Sequence, residues 1–145
     1  MIRTALAVAV LAFGATALVA QNDPIAARKA LMKANGDQNR VATEMLEGKR
    51  PFDLEAAKKI FVVFVEAGEK APALFPDNSK TGGDTAALPP VWENKADFNA
   101  RLAKFAAESK AAGDSVKDLD SLKAQITEVR KNCGGCHQTY RKRTS

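Results

Sequence analysis

The chain has 145 residues, with 22 lysines and arginines against 17 aspartates and glutamates, so its formal net charge is +5. A chain of this length forms one domain around one core. The excess charge is modest, and the basic residues form no motif that reads a nucleic-acid groove. A nucleic-acid-binding protein is therefore not expected.

The N-terminal residues have the pattern of an export signal. Arg3 supplies a positive charge, and the run from Ala5 to Val19 is almost wholly apolar. That run is short for a membrane span, which needs about 20 residues. A cut after Ala20 is favoured because a polar stretch follows it, although a cut after Ala17 also fits the small-residue rule and a retained anchor is the alternative. The prediction is a secretory signal peptide at 1–20, a mature domain at 21–145 with no membrane span, and a periplasmic location in a bacterium.

Two amphipathic helices are predicted to open the mature chain. The first starts with Asp23 as N-cap and a proline at its first helical position, and it ends at Gly48. The second starts with Asp53 as N-cap and ends near residues 68–72. The β-branched and aromatic run at 60–65 resembles a buried strand when taken alone, but helix-like sequences flank it on both sides, so helix is predicted there.

A long irregular stretch and a third helix follow. Residues 71–90 are punctuated by prolines and glycines, which predicts a loop. A loop of about 20 residues is unusual in a compact domain and often serves a site. The third helix is predicted at 91–112, with Gly113 closing it.

The fourth helix has the clearest apolar stripe. Its members recur at spacings of three and four residues, the pattern of a helix buried in a bundle: Leu119, Leu122, Ile126, Val129, Cys133, Cys136 and Tyr140. Both cysteines are therefore predicted at core positions. Four helices without any alternating strand pattern predict an all-α fold, an antiparallel four-helix bundle.

The string Cys133-Gly-Gly-Cys136-His137 contains both cysteines and the only histidine of the chain. A Cys-x-x-Cys-His run attaches a c-type haem, because two thiols add to its vinyl groups and the imidazole binds its iron. On a helix the three side chains share one face and can reach one cofactor. A zinc site needs four ligands, a thioredoxin-like pair follows a strand, and a simple disulfide leaves His137 without a role. The sequence therefore predicts one covalently attached haem c, with its iron, near the C-terminal helix.

Four segments together resemble the class II c-type cytochromes, that is, the cytochrome c-prime family with its low-spin, methionine-ligated relatives. The segments are Arg28-x-x-x-Met32, Gly82-Gly83-Asp84, Pro89-Pro90-Val91-Trp92 and Cys133-Gly-Gly-Cys136-His137-Gln-Thr-Tyr140-Arg141. The resemblance covers essentially the whole mature chain. It implies a haem-containing four-helix bundle, which agrees with the helices predicted above.

The resemblance also implies roles for individual residues. Cys133 and Cys136 form the thioethers, and His137 is the proximal ligand of the iron. Arg28 is expected near a haem propionate and Arg141 beside the proximal ligand, with a snorkelling surface arginine as the alternative for both. Asp84 is expected near the haem edge.

Met32 decides between two functions. In the low-spin relatives a first-helix methionine is the sixth iron ligand, and a thioether raises the reduction potential and favours electron transfer. An iron left five-coordinate binds nitric oxide or other diatomic gases instead, in a distal site for which Phe61 and Phe64 are candidate lining residues. Methionine also fills core gaps in general. We expect a periplasmic electron carrier with Met32 on the iron, and gas binding is the alternative.

The surface suggests two kinds of partner. Basic residues bracket the haem motif at 130–131 and 141–143, either as a solvated helix end or as a rim that steers an acidic redox partner. A homodimer through the first two helices is implied by the resemblance, and Val62, Val63 and Val65 are either its apolar surface or part of the monomer core. No enzyme is expected, because the histidine is committed to iron and no nucleophile–base pair remains.

Overall fold

Four long helices make up most of the protein. The computed structural model describes residues 23–143, with α1 (Pro24–Leu46), α2 (Leu54–Lys70), α3 (Lys95–Ser115) and α4 (Leu119–Tyr140). Two 3-10 turns follow α2 (Ala71–Leu74 and Asp77–Ser79), and one α-helical turn (Pro90–Glu93) precedes α3. Within the described range the only β pairing is an isolated bridge between Ala87 and Arg141. The predicted all-α four-helix bundle is confirmed, whereas the predicted signal peptide at 1–20 lies outside the described residues.

The first helix boundaries follow from local capping. The Asp23 carboxylate accepts hydrogen bonds from the backbone N–H groups of the next turn, and Asp53 does the same at the start of α2. These bonds satisfy amides that have no partner inside the helix. Just beyond α1, Gly48 has a φ of 70°, a conformation that glycine adopts at little cost. The predicted boundaries at Asp23, Gly48 and Asp53 are confirmed.

The boundaries predicted for the third helix are wrong. The helical turn at 90–93 is interrupted at Asn94, and α3 then continues past Gly113 to Ser115. Gly113 serves packing instead of termination, because a Cβ there would lie 3.0 Å from the Cβ of Phe61 on α2. At the other end of the same contact, a Cβ on Gly68 would lie 2.8 Å from that of Ala106. Because glycine has no Cβ, these two residues allow α2 and α3 to pack closely.

Two clusters of buried side chains form the core. The larger cluster joins all four helices and includes Phe61, Phe64 and Ile126. The smaller cluster joins the segment after α2 to α3 and to the end of α4: Ala71, Val91, Phe98, Leu102 and Tyr140. On α4 no residue between Val129 and Tyr140 is fully buried. The haem motif lies in that interval, between the two clusters.

Candidate cofactor site

A cleft opens between α1 and the second half of α4. It consists of two adjoining cavities that share Met32, Leu102, Cys136 and His137 in their walls. The first, the loop-side cavity, has a volume of about 240 Å³ and is also lined by residues 84–87. The second, the bundle-side cavity, has a volume of about 600 Å³ and reaches Phe105 of the larger core cluster. Small-molecule sites commonly span about 300–1,000 Å³, so the cleft has the size of a cofactor site.

The predicted thioether cysteines and iron ligands all lie on this cleft. Met32 comes from α1, and Cys133, Cys136 and His137 come from α4. Met32 is 39% exposed, whereas Met45, further along the same helix, is 1% exposed in the core. Met32 therefore does not act as a filler of the apolar core, which is the role that methionine has at Met45.

The prediction that both cysteines occupy core positions is wrong. Cys133 is exposed, Cys136 is half-buried, and both are free thiols. The apolar stripe of α4 is buried from Leu122 to Val129 and again at Tyr140. Between those points the motif borders the cleft, and Cys136 packs against the smaller core cluster.

The protonation states at the motif fit covalent haem attachment. Desolvation by surrounding protein atoms raises the pKa of both cysteine thiols, although Cys133 as a whole residue is exposed. They are therefore protonated at neutral pH, unlike the low-pKa thiol of a disulfide oxidoreductase. Burial, assisted by the charge of Arg141, lowers the pKa of His137. The imidazole is then neutral, which is the form that binds a metal. Two thiols and a neutral imidazole within two turns on one cleft are the donor set that haem c needs.

Arg28 is buried and anchors the long loop. It is 5% exposed. Its Nη1 donates hydrogen bonds to the Leu74 carbonyl oxygen at 3.0 Å and to Ser79 Oγ at 2.9 Å. Its Nη2 donates to the Ser79 carbonyl oxygen at 3.0 Å and to Thr85 Oγ1 at 2.6 Å. Burial lowers the pKa of Arg28, but a guanidinium remains charged at neutral pH. A snorkelling surface arginine is thus excluded, and the residue lines the loop-side cavity.

Aromatic rings enclose the Arg28 guanidinium on the loop side. Its Cζ lies 4.7 Å from the ring centroid of Phe75 and 5.9 Å from that of Trp92, within the range of a cation–π interaction. The indole N–H of Trp92 donates a hydrogen bond to the Phe75 carbonyl oxygen at 3.0 Å. The predicted loop is therefore a packed wall of the cleft.

The rest of the loop is tied to the end of α4. The Leu88 N–H donates to the Tyr140 carbonyl oxygen at 3.0 Å, and the Lys142 N–H donates to that of Ala86 at 2.8 Å. Asp84 follows two glycines, has a φ of 60°, and pairs with Lys29 at 3.5 Å on the surface. Asp84 and Arg141 both line the loop-side cavity. The loop, α1 and the C-terminal segment thus meet at its mouth.

Two aromatic residues lie away from the cleft. Phe61 and Phe64, named as candidate lining of a distal gas site, are buried in the larger core cluster and line neither cavity. They pack edge to face with ring centroids 6.2 Å apart. The side chains of α1 and α3, and not those of α2, face the motif on α4.

Sequence reasoning missed a polar cluster beside the motif. Arg101 of α3 donates from Nε to Asp97 Oδ2 at 2.7 Å and from Nη1 to the Gly135 carbonyl oxygen at 3.4 Å. The Tyr140 hydroxyl donates to the same Asp97 oxygen at 2.5 Å. The spacing of Asp97 and Arg101 indicates a helical ion pair in the sequence. Their contact with α4 depends on how the two helices pack.

Comparison with known proteins agrees with this geometry. The profile of the family described as Cytochrome C' matches residues 23–141. The chain belongs to the cytochrome c' family. The cytochrome c' of Rhodopseudomonas palustris is 43% identical over 144 residues, which are 99% of each chain. The cytochrome c-556 of the same organism is 32% identical over 145 residues, covering 97% of each.

A solved structure has the same fold. Cytochrome c' from Rhodopseudomonas palustris superposes with a TM-score of 0.82 at 46% identity, and the match covers 86% of this chain and 100% of that one. The resemblance inferred from four short segments is therefore confirmed. As a member of the cytochrome c' family, the chain carries one covalently attached haem c with its iron, as the motif predicts.

Proposed function

We propose that this member of the cytochrome c' family is a periplasmic electron carrier whose haem is linked to Cys133 and Cys136 and ligated by His137 and Met32. The observation that carries the proposal is the position of Met32, which lines both cavities together with His137 although the two residues belong to different helices. When bound, the haem iron takes up and releases one electron at this site.

Each residue of the cleft has a separate task in this proposal. The two thioethers keep the cofactor from dissociating, and the neutral His137 imidazole donates to the iron. The Met32 thioether would supply a soft second ligand, which would favour the ferrous state and raise the reduction potential. Wall residues such as Leu102 limit the access of water. A drier site favours the ferrous state further, because ferrous haem carries one positive charge less than ferric haem.

Charged residues at the loop-side cavity receive the carboxylate edge of the haem in this proposal. Arg28 places a buried positive charge there, and its Nε–H has no hydrogen-bond partner within residues 23–143. A guanidinium with a donor to spare pairs well with a carboxylate. Arg141 lies one turn beyond His137 and adds a second cation, while Asp84 lies at the exposed mouth.

Gas binding is the alternative function. It is favoured by the higher identity to a protein named cytochrome c' (43%) than to one named cytochrome c-556 (32%). In this reading Met32 lines the cleft without binding iron, and a diatomic gas occupies the sixth position. An enzymatic reaction forms no part of either proposal.

Absorption spectra test the choice. The purified holoprotein is recorded in its ferric and ferrous states, before and after addition of carbon monoxide. Sharp low-spin ferrous bands that do not respond to carbon monoxide support the electron carrier with Met32 on the iron. A broad high-spin ferrous spectrum that sharpens with carbon monoxide contradicts it and supports gas binding.

Export to the periplasm is part of the same proposal. Removal of 20 of the 145 residues leaves 125, which is 86% of the chain. The solved cytochrome c' is matched over its full length by that same share of this chain. No helix within residues 23–143 is both long enough and apolar enough to cross a membrane. Mass spectrometry of the periplasmic protein tests the cut, and a mature chain starting at Gln21 is expected.

The basic C-terminal segment is proposed to steer an acidic redox partner. Lys142 and Arg143 are exposed, and no carboxylate of the described part of the chain lies within salt-bridge distance of either. They follow directly on Arg141 at the mouth of the cleft. Charge of this kind accelerates the encounter with a partner of opposite sign.

A homodimer through α1 and α2 is also proposed. Val62 is 63% exposed on α2, whereas Val63 and Val65 are half-buried. In this proposal the three valines supply the apolar part of a contact between two copies, and α1 supplies the rest. Sedimentation equilibrium tests it: Val62→Glu is expected to shift the population from dimer to monomer, and a wild-type protein that is monomeric at all concentrations contradicts it.

A further inference from the structure

The polar cluster of Asp97, Arg101 and Tyr140 has no part in attaching or ligating the haem, yet it contacts the attachment segment, defined as residues 133–137. Arg101 Nη1 lies 3.4 Å from the carbonyl oxygen of Gly135. Gly134 and Gly135 are the two residues between the cysteines. The Arg101 Cζ also lies 5.7 Å from the ring centroid of Tyr140. Arg101 thus contacts α4 before and after the position of His137.

Arg101 borders the cavity in which the cofactor is proposed to lie. Its side chain lines the bundle-side cavity beside Cys133 and Cys136. A cation near a haem favours the ferrous state, which carries one positive charge less than the ferric state.

Asp97 weakens the electrostatic effect of Arg101 on the cofactor. Its carboxylate accepts from Arg101 at 2.7 Å and from Tyr140 at 2.5 Å. A negative charge at this distance partly cancels the field of the guanidinium. Removal of Arg101 and removal of Asp97 should therefore shift the equilibrium between ferric and ferrous haem in opposite directions.

We propose that Arg101 is a positioning residue that holds the backbone of the attachment segment and raises the reduction potential of the haem, and that Asp97 tempers this effect. The inference rests on the proposed function in one respect, namely that a carrier needs a tuned reduction potential. Its test does not depend on the identity of the sixth ligand, because carbon monoxide spectra of the wild type decide that question separately.

Redox titration of the purified holoproteins is the test. Arg101→Gln is expected to shift the equilibrium toward the ferric state at least threefold, which corresponds to a reduction potential about 30 mV lower for one electron. Asp97→Asn is expected to shift it toward the ferrous state. Arg101→Lys retains the charge and is expected to keep most of the wild-type reduction potential.

The control variant removes the same charge from the same helix. Lys110 pairs with Asp114 on the surface of α3 and lines neither cavity of the cleft. Lys110→Gln is expected to change the equilibrium by much less than threefold. The proposal is overturned if the reduction potential of Arg101→Gln shifts no more than that of Lys110→Gln. It is also overturned if the reduction potentials of Arg101→Gln and Asp97→Asn shift in the same direction. If Arg101→Gln yields no holoprotein, the direction of the Asp97→Asn shift decides, and an unchanged or lowered reduction potential overturns the proposal.

Discussion

Arg28 of α1 donates two hydrogen bonds to Ser79, one to its hydroxyl at 2.9 Å and one to its carbonyl oxygen at 3.0 Å. The two residues are 5% and 1% exposed, so this pair is buried although the residues are 51 positions apart in the chain. The buried pair attaches the long loop to the helix that carries Met32. The buried polar attachment of this loop to α1 is therefore made by a single guanidinium.

Replacement of Arg28 by glutamine is expected to lower the free energy of unfolding by about 2–3 kcal/mol, because hydrogen bonds of a charged buried group are lost. Protease sensitivity should rise in residues 76–85 at the same time. Chemical denaturation and limited proteolysis measure the two effects. The control is Arg50→Gln, which removes an exposed pair with Glu44 and should cost about 0–1 kcal/mol. Equal losses in the two variants contradict the anchoring role.

Replacement of Met32 by leucine is expected to convert the ferrous spectrum to a high-spin form that binds carbon monoxide, because the thioether is removed while the apolar volume is kept. The control is Met45→Leu, which makes the same chemical change in the core, where Met45 is 1% exposed. That variant should keep the wild-type spectrum. A Met32→Leu protein with an unchanged low-spin spectrum contradicts ligation by this residue.

Replacement of Gly68 by alanine is expected to destabilise the protein by about 1–2 kcal/mol. The new Cβ would lie 2.8 Å from the Ala106 Cβ and from the Leu102 carbonyl oxygen, and overpacking of this kind outweighs the better helix propensity of alanine. Urea unfolding measures the change. The neighbouring Glu69→Ala, at an exposed position, should stay within about 0.5 kcal/mol of wild type. A stabilised Gly68→Ala protein shows that α2 and α3 do not pack as closely as described.

The stability contributed by Asp97 should depend on pH. Hydrogen bonds from Tyr140 and then Arg101 lower the pKa of this carboxyl below its ordinary 3.8. The folded state therefore gains stability above pH 3.8 and loses it as the pH falls through the lowered pKa. Asp97→Asn should be less stable than wild type at pH 7, and the difference should shrink below pH 3.8.

Urea unfolding at several pH values measures this difference. Asp114→Asn is the control, because it removes an exposed carboxylate from the same helix. A difference between wild type and Asp97→Asn that is constant from pH 7 to pH 3 contradicts the assigned cause of the lowered pKa.

The basic segment after α4 should govern reaction with charged reagents. Oxidation of the ferrous protein by the anion hexacyanoferrate(III) is expected to slow about two- to threefold in Lys142→Gln/Arg143→Gln, and the effect should fade as salt is added. A cationic cobalt(III) tris-phenanthroline reagent should not be slowed. The control is Lys58→Gln/Lys59→Gln on α2, an equal charge change at exposed positions outside the two cavities of the cleft. Equal slowing in both double variants excludes local steering.

The parts of the fold that sequence predicts well are those set by neighbouring residues. The sequence predicts Asp23 and Asp53 as N-caps because a carboxylate reaches backbone N–H groups only two or three residues away. The sequence predicts a helix end at Gly113, which is wrong, because the role of this glycine depends on Phe61 of another helix. Sequence alone does not distinguish a glycine that ends a helix from a glycine that allows close packing of a neighbouring helix.

By itself, the sequence determined the cofactor and its attachment. Both thiols and the imidazole lie within five consecutive residues, and helical geometry alone brings them to one face. Tertiary structure decided that this face borders an open cleft instead of the core, that Arg28 is buried in the loop, and that Asp97 and Arg101 reach α4. Those contacts join residues 34 to 51 positions apart. They exist only when separate helices pack, because side-chain periodicity reports which face of a helix is apolar and not which partner covers it.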